Sequence, residues 1–344
     1  MPLPSRAELD RLRWAPPPRP ADERGHVESF FLKANDPRQP GRALWLKWTL
    51  RVPVGAPEAA VAEAWAIRFD GDRRAHQAAK ETHHLAACSL AADRLALSIG
   101  AAELTPGRAR GRVGAGASAI AFALEFDYDG QRPMYAFPRG WMYERGFPKS
   151  KLYTSCPATR LSGFIEGAGE RWQVDAWPGM LGHNWGRTHA PRYHWAQCSL
   201  FTDAAPLVFE GYSGRIRVGR ALSPWLTGAV VRVGDDEYPF HALTRLVNPS
   251  VRVSPYSWSF TARERGYQLR ARVSAREDAF VGLRYENPDG SQSHCLNSKI
   301  ADCEIELSKK TGVGWRPLAR GAGRRSCAYE ILTQDFEHAI PVLA

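Results

Sequence analysis

The sequence predicts an all-β protein made of two β-barrel or β-sandwich units. From Gly25 onward, short apolar or alternating runs are separated by Gly, Pro, Asp and Asn, which is the pattern of strands joined by turns. Helical periodicity is scarce: residues 7–14 could form a turn or two, and residues 88–97 fit either a short helix or a strand. With 344 residues, 44% of them hydrophobic, the chain can bury one large core or two ordinary ones.

Strand candidates follow one another along nearly the whole chain. In the first half, alternation or a short apolar run predicts strands over 27–33, 43–52, 62–69 and 119–128. The same patterns predict later strands over 160–166, 171–177, 193–201, 207–216, 230–233, 238–247, 251–262, 267–276, 280–286 and 300–307.

Proline and glycine divide this β chain into parts. Residues 1–25 include Ala15-Pro16-Pro17-Pro18-Arg19-Pro20, which cannot pair in a sheet and predicts an extended N-terminal arm. Residues 137–157 are interrupted by prolines and glycines and predict a crossover linker. The chain is therefore expected to form a first β unit over 26–136, the linker, and a second β unit over 158–344, each long enough to close around a ligand.

The charge argues against a nucleic-acid partner. Lys and Arg number 46 against 36 Asp and Glu, which gives a net charge of +10, and 38 of the bases are Arg. These charges are scattered, whereas nucleic-acid binding needs them in a stripe or a run. The arginines suit interfaces, or anionic membrane surfaces when a substrate is membrane-borne. The sequence leaves the oligomeric state open.

The cysteines and glycines indicate neither a metal site nor a dinucleotide site. The six cysteines stand far apart, without a C-x-x-C pair or a Cys/His zinc spacing. The glycine-rich stretches contain no G-x-G-x-x-G before a helix. Because the N-terminus lacks the apolar region of a secretory signal and no run of eighteen apolar residues occurs, we predict a cytoplasmic protein with reduced thiols.

Residues 177–201 concentrate the side chains that could carry chemistry, with three of the ten histidines and three tryptophans. Alternation along a strand places His183 and Trp185 on one face and Asn184 on the other. On the next predicted strand it places Tyr193, Trp195 and Gln197 together, on the face opposite His194.

These two strands are predicted to form a hairpin with one aromatic face that carries a few hydrogen-bonding groups. Such a face suits a pocket for an apolar ligand with a polar end. Glu210 and Tyr212 on the following strand could extend it. The predicted substrate-binding residues are Asn184, Trp185, Tyr193, His194, Trp195, Gln197 and Tyr212. The alternative is that the tryptophans form ordinary core and that backbone carbonyls satisfy the histidines.

Two motifs of this chain resemble those of tocopherol cyclases. His183-Asn184-Trp185-Gly186, followed after a turn by Trp195-Ala196-Gln197-Cys198, resembles their Asn-Trp-Gly and Trp-x-Gln segment. Val27-Glu28-Ser29-Phe30-Phe31-Leu32-Lys33 is similar to the Glu-Gly-Trp-Tyr-Phe-Lys strand near the start of those proteins. The first motif also resembles the His-(Asp/Glu)-Trp-Gly segment of carotenoid 1,2-hydratases (hydroxyneurosporene synthases) and AttH-like proteins.

The resemblance implies two lipocalin-like, calycin-type β units with a pocket for an isoprenoid or polyene substrate, acting without a metal or redox cofactor. The related enzymes protonate a carbon–carbon double bond, and water or an internal hydroxyl then captures the cation. This chemistry needs a proton donor in a dry aromatic pocket, because the acid must stay protonated and the cation needs π faces.

The motif departs from the family at its acid. The hydratases have an acidic residue where this chain has Asn184, and the acidic position of the tocopherol cyclases, two residues earlier, is Gly182 here. The predicted catalytic residues are therefore Glu28, His183 and Glu210. Glu28 alternates with apolar residues, so burial is expected to keep it protonated; the alternative is a buried ion pair with an arginine such as Arg192.

Two further segments carry polar residues that are not assigned to the predicted site. In 80–84, the adjacent histidines His83 and His84 point to opposite faces of a strand and cannot chelate one metal as a pair, although a distant acidic partner could complete a site. This stretch is predicted to be a loop or rim segment, with Glu81 an outside candidate for the pocket and for the acid. Lys47, between Trp45 and Trp48, is expected to be exposed, and the alternative is that it lies among Trp45 and Thr49 in a lumen.

The sequence thus predicts a cofactor-independent cyclase or hydratase that acts on an apolar isoprenoid or polyketide-like molecule. The alternative is a non-catalytic lipid or pigment carrier that uses the same pocket.

Overall fold

Strands dominate the computed structural model, which describes residues 2–14, 24–202 and 206–344. They form two large antiparallel sheets and one small hairpin. The all-β prediction with two β units is confirmed, and no helix within the described ranges has the length and apolarity needed to cross a membrane. The proline stretch at 15–20 of the predicted N-terminal arm lies outside the described residues.

The first sheet contains twelve strands in the order β4-β3-β2-β1-β12-β11-β9-β8-β7-β6-β5, and β10 pairs with β11. Its strands are β1 (His26–Asn35), β2 (Arg42–Val52), β3 (Val61–Asp70), β4 (Gln77–His84), β5 (Ser89–Leu90), β6 (Leu97–Ile99), β7 (Ala102–Thr105), β8 (Arg108–Val113), β9 (Ile120–Phe126), β10 (Met134–Tyr135), β11 (Ser150–Gly167) and β12 (Glu170–Gly186).

The second sheet has the order β18-β17-β14-β13-β24-β23-β21-β20-β19, and β22 pairs with β23. Its strands are β13 (Arg192–Cys198), β14 (Leu207–Arg215), β17 (Leu226–Val233), β18 (Asp236–Phe240), β19 (Arg252–Ser254), β20 (Ser257–Glu264), β21 (Tyr267–Ser274), β22 (Val281–Glu286), β23 (Gln292–Thr311) and β24 (Gly314–Thr333). The small hairpin is β15 (Arg217–Val218) with β16 (Ala221–Leu222).

Helices are short in the described part of the chain. The α-helices are α1 (Arg6–Leu9), which overlaps the start of the predicted 7–14 segment, and α2 (Trp141–Glu144). Single 3₁₀ turns lie at Pro57–Ala59, Leu85–Ala87, Gly116–Ser118, Leu243–Arg245 and Glu277–Ala279. Ser5 caps α1 by accepting from the Glu8 N–H, and the Glu8 carboxylate accepts from the Ser5 N–H in return.

Each sheet curls around its own apolar core, and a third core lies between the sheets. Strand alternation explains how one strand serves two cores. In β1, Phe30 belongs to the interior of the first sheet, whereas its neighbour Phe31 packs between the sheets. In β13, Trp195 points between the sheets and Ala196 into the second sheet.

Strand pairing differs from two details of the sequence prediction. The strands β12 and β13 were expected to pair as a hairpin, but they belong to different sheets, because the chain crosses over between Gly186 and Arg192. Within the predicted linker 137–157, residues from Ser150 onward form the start of β11 in the first sheet, held there by pairing with β12. How the chain divides into domains stays a prediction.

Candidate functional site

Glu28 and His183 form a buried pair inside the first sheet. They project to the same side because Phe30 lies directly opposite His183 and Glu28 opposite Trp185 in the β1–β12 ladder. His183 Nε2 lies 2.8 Å from Glu28 Oε1, and its Nδ1 lies 2.6 Å from the carbonyl oxygen of Leu9. Both ring nitrogens of His183 therefore face oxygen atoms of the protein.

The N-terminal segment supplies further donors to the same carboxylate. The backbone N–H of Arg13 donates to Glu28 Oε1 at 2.8 Å, and that of Trp14 donates to Oε2 at 3.1 Å. His26 Nε2 lies 2.8 Å from Oε2. Burial raises the pKa of Glu28, but the hydrogen bonds and charges of His183 and His26 outweigh it and lower the pKa to about 2.

This environment differs from the predicted one for Glu28. The side chain is buried as expected, yet it is an ionised acceptor rather than a protonated donor, and its partners are histidines rather than Arg192. Trp185 packs beside His183 with ring centroids 4.5 Å apart and the ring planes tilted by 30°. The polar atoms of Glu28 and His183 are therefore hydrogen-bonded to other groups of the protein.

Asn184 faces the opposite side of β12, toward the second sheet. Its partners across the ladder are Ser29 and Leu152, and Gly182, on the same face, pairs with Phe31 and Thr154. The predicted site is thus divided by β12. Asn184 shares the space between the sheets with Trp195, whereas His183 and Trp185 lie behind it.

Glu210 occupies the space between the sheets on the second-sheet side. It lies on β14 directly opposite Gln197 of β13, while its strand neighbour Tyr212 lies opposite Trp195. The carboxylate accepts from Thr154 Oγ1 of the first sheet at 2.8 and 2.9 Å and from Trp195 Nε1 at 3.1 Å. The predicted grouping of Trp195, Gln197, Glu210 and Tyr212 on one face is what the strand register shows.

The surroundings of Glu210 favour its protonated form. Burial raises the pKa of this carboxyl to about 7, and the hydrogen bonds from Thr154 and Trp195 offset only part of that rise. Its described hydrogen-bond partners are neutral groups. Glu210 therefore differs from Glu28 in keeping a proton near neutral pH.

Tyr193 and Tyr212 flank Trp195 and remain partly accessible. Burial nevertheless raises the pKa of both phenols, so the hydroxyls lie deep in the molecule. Side chains that are deep and partly accessible at once are expected to line an internal space. The Tyr193 hydroxyl lies 3.5 Å from Glu330 Oε2, and the Tyr212 hydroxyl 3.5 Å from the Ala136 carbonyl oxygen.

A second polar group lies on the same face and was not predicted from the sequence. Glu330 of β24 is the other cross-strand neighbour of Trp195. Its Oε1 accepts from Lys299 Nζ and from Asn297 Nδ2, both at 2.9 Å. Burial raises the pKa of Glu330, but Lys299 outweighs it and holds the pKa below its usual value. The only sequence signal was a carboxylate within the apolar run at 327–332.

Lys47 completes this face, where exposure was expected. It is buried on β2 opposite Phe31 and Trp65. Its Nζ lies 3.9 Å from the centre of the Tyr285 ring and 5.7 Å from that of Trp45. The structure corrects the sequence interpretation because the second sheet covers this side of the strand. Burial lowers the pKa of Lys47 to about 8.

We expect Lys47→Met to stabilise the protein at pH 7. A buried ammonium whose pKa has fallen from 10.5 to about 8 costs about 3 kcal/mol below pH 8, and the cost disappears as pH rises toward 10.5. The wild-type free energy of unfolding should therefore rise over that interval by more than that of Lys47→Met, which lacks this contribution. Urea unfolding at pH 7 and 10 measures both; a variant that is less stable at pH 7 would contradict this account.

Two predicted residues serve other environments. His194 lies in the core of the second sheet, with Nδ1 2.9 Å from the Tyr329 hydroxyl, because it alternates with Tyr193 and Trp195. Burial lowers its pKa to about 4. Gln197 does face the first sheet, but its Nε2 donates to the Pro157 carbonyl at 2.8 Å.

The missing acid of the motif has a structural counterpart. A side chain at Gly182 would run into the ring of Phe31, so an acidic residue does not fit at that position. Thr154 is the direct cross-strand neighbour of Gly182 and holds the Glu210 carboxylate. The Glu210 carboxyl group, which comes from β14, therefore lies near the position at which Gly182 provides no acid.

Two open depressions lie elsewhere on the surface. One of about 410 Å³ is lined by residues such as Arg38 and Trp172, and one of about 510 Å³ by residues such as Arg270 and Glu306. None of the side chains around Glu210 lines either depression. The chemistry-bearing groups lie between the sheets and not in these depressions.

Two curled antiparallel sheets with an aromatic, acid-containing core between them define a lipocalin-like β protein. The tocopherol cyclase-like family model matches residues 156–331, just over half of the chain. The chain belongs to the tocopherol cyclase-like family, as its motifs indicated.

The matching proteins cover nearly the whole chain. The uncharacterized proteins MT0513 and Rv0493c of two Mycobacterium tuberculosis strains are each 27% identical over 324 residues, 91% of this chain and 89% of theirs. Among solved structures, an AttH-like protein (NE1406) from Nitrosomonas europaea has a TM-score of 0.56 at 12% identity, covering 90% of this chain and 92% of that one.

Two further solved structures share the fold. Kievitone hydratase from Nectria haematococca has a TM-score of 0.51 at 12% identity, with 91% of this chain and 90% of that chain covered. CghA, solved with Sch210972, has a TM-score of 0.54 at 10% identity, with 90% and 88% covered. At these identities the similarity establishes the common architecture.

Proposed function

We propose that this protein is a cofactor-independent cyclase or hydratase in which Glu210 is the general acid. The observation that carries the proposal is the contrast among three buried glutamates. Glu28 is ionised by histidines and Glu330 by Lys299, whereas Glu210 has neutral partners and a pKa raised to about 7. A proton donor matched to neutral pH is what general acid catalysis requires.

The surroundings of Glu210 suit an apolar, electron-rich substrate. Trp195 and Tyr212 are cross-strand neighbours beside the carboxyl group, and their π faces can stabilise a carbocation. Access is proposed along the partly exposed side chains of Leu152, Tyr193 and Tyr212. Membership in the tocopherol cyclase-like family supports an isoprenoid or polyketide-like substrate that carries a carbon–carbon double bond.

The proposed reaction is a proton-neutral addition. The Glu210 carboxyl transfers its proton to one carbon of the double bond, which leaves a cation on the other carbon. Water or a hydroxyl of the same substrate forms the new C–O bond, and the proton released from that oxygen returns to the Glu210 carboxylate. No electron is gained or lost, and the product is a hydrate or an oxygen-containing ring.

Glu28 and His183 are proposed to act in positioning rather than in proton transfer. They anchor the segment Leu9–Trp14 behind β12, which orders the strand that carries Asn184 toward the substrate. Asn184, half-buried on the inter-sheet face, can then orient a substrate oxygen.

The experiment begins with native mass spectrometry and organic extraction of protein purified from its own host. The compound recovered, or a prenylated phenol and a polyene from a panel, is then incubated with the protein in D₂O. One deuterium at a non-exchangeable carbon of the product is expected. A bound compound that is recovered unchanged and without deuterium would contradict catalysis and favour the carrier alternative.

We expect Trp195→Phe to move the alkaline limb of the pH–rate profile upward. The indole N–H donates to the carboxylate and so favours its ionised form; without it the pKa of Glu210 should rise above about 7. Trp185→Phe, on the other side of β12, is the matched control and should leave the limb unchanged. A limb at the same pH in Trp195→Phe and wild type would show that Glu210 does not control it.

A further inference from the structure

Three cysteines converge in the interior of the second sheet. Cys198, Cys303 and Cys327 are fully buried, and their Sγ atoms all lie within 4.8 Å of one another. The other three cysteines of the chain are not part of this group. The cluster belongs to the core enclosed by the second sheet and is separate from the proposed catalytic face.

Strand register explains the convergence that sequence spacing could not show. The strands β13, β24 and β23 are adjacent, and pairing of Gln197 with Ala328 brings Cys198 beside Cys327. Irregular pairing between β23 and β24 near Ala301 brings Cys303 level with them. The absence of a side chain at Gly323 provides space for the cluster, because a Cβ there would lie 2.6 Å from Cys198 Sγ.

We propose that Cys198, Cys303 and Cys327 form a three-thiolate site for one Cu(I) ion. With metal–sulfur bonds of about 2.3 Å, a trigonal site has sulfur atoms about 4.0 Å apart, so separations within 4.8 Å need to close by less than about 1 Å. Among the described residues, no His, Asp or Glu ligand atom joins the cluster. Three thiolates without a fourth ligand suit Cu(I), whereas structural Zn(II) takes four ligands.

A buried lysine can offset the negative charge of a metal–thiolate centre at this place. Lys33 is fully buried, and its Nζ donates to Asn35 Oδ1 at 3.1 Å. Burial lowers the pKa of this amine, and the three cysteines, as thiolates, act in the opposite direction and raise it. Binding of Cu(I) releases three thiol protons and gives a centre of charge −2, part of which Lys33 neutralises without any change in the oxidation state of copper.

The test is an anaerobic titration of the reduced full-length chain with Cu(I) in the presence of a chromophoric competing chelator. The half-exposed Cys88 is changed to Ser in every sample, so that it does not bind copper itself. One Cu(I) per chain is expected. Cys303→Ser should lower the affinity at least about 100-fold and Lys33→Met about 10-fold, as loss of a ligand and of an outer partner do. Cys295→Ser, a buried cysteine of the same strand, should bind like the parent.

X-ray absorption at the copper edge of the loaded parent protein gives an answer even if a variant fails to fold. Three sulfur neighbours at about 2.3 Å are expected. Two sulfur neighbours, equal loss in Cys295→Ser and Cys303→Ser, or uptake of Zn(II) without Cu(I) would overturn the proposal. So would a disulfide between two of the three cysteines in protein isolated without reductant together with no copper uptake after reduction.

Discussion

Glu210→Gln is expected to lower kcat at least about 100-fold, because it removes the proton that the proposed reaction transfers. Gln retains an oxygen that can accept from Thr154 and Trp195, so the local packing should persist. The wild-type rate should also fall as pH rises through about 7, where Glu210 ionises. The measurement is deuterium incorporation into the product as a function of pH.

The same substitution is expected to stabilise the protein at pH 8. A carboxyl whose pKa is raised from 4.5 to about 7 in the folded state binds its proton more tightly there. Its contribution to stability is therefore present below pH 4.5 and is lost as pH rises through about 7. Above that, the buried charge costs about 3 kcal/mol, which Gln does not carry.

Glu264→Gln is the control for both effects. Glu264 is also buried in the second sheet, but it accepts from the Ala242 N–H, whereas Thr154 and Trp195 donate to Glu210. It should keep its activity. Full activity in Glu210→Gln would contradict the assignment of Glu210 as the acid.

Glu28→Gln is expected to destabilise the protein by about 3 kcal/mol at pH 7. The pKa of Glu28 is lowered from 4.5 to about 2 on folding, so its contribution is present above pH 4.5 and is lost as pH falls toward 2. In the variant, the histidines and the N–H groups of Arg13 and Trp14 lose an ionised acceptor. Urea unfolding at pH 7 and pH 3 should show the difference shrinking in acid.

Glu81→Gln provides a matched comparison for Glu28→Gln. Glu81 also accepts from a histidine, His83, and from a backbone N–H, that of Gly114, but it is half-exposed. The expected loss is below about 1 kcal/mol. Equal losses in the two variants would show that burial of the Glu28 pair adds nothing to stability.

Local periodicity predicted most of what one strand can determine. Alternation placed Asn184 and His183 on opposite faces of their strand, and it placed Trp195 and Tyr212 on the same face of their sheet. Both predictions follow because the side-chain period of two holds wherever a strand forms. It could not show that β12 and β13 belong to different sheets, since that depends on which partners each strand finds. The exposure predicted for Lys47 was wrong for the same reason. The second sheet covers that side of the strand, and the sequence of a single strand does not show which sheet will cover it.

The sequence likewise could not show which residues surround the acids and the thiols. Glu28 meets His183 from 155 positions away, and Glu210 meets Thr154 from 56 positions away. The three clustered cysteines come from three strands that are consecutive only in space. The family motifs directed attention to β1, β12 and β13, but whether a carboxyl keeps its proton there depends on these distant neighbours.

The pairing of β1 with β12 also sets the order in which the molecule can be assembled during synthesis. β1 leaves the ribosome well before β12, its second neighbour in the sheet, which ends at Gly186. The carbonyl oxygen of Leu9 can contact its partner only after His183, 174 residues further along the chain, has been synthesised. Until then β1 has an open edge, so closure of the first sheet must be a late and non-local step, of the kind that slows folding and leaves nascent chains dependent on protection from association.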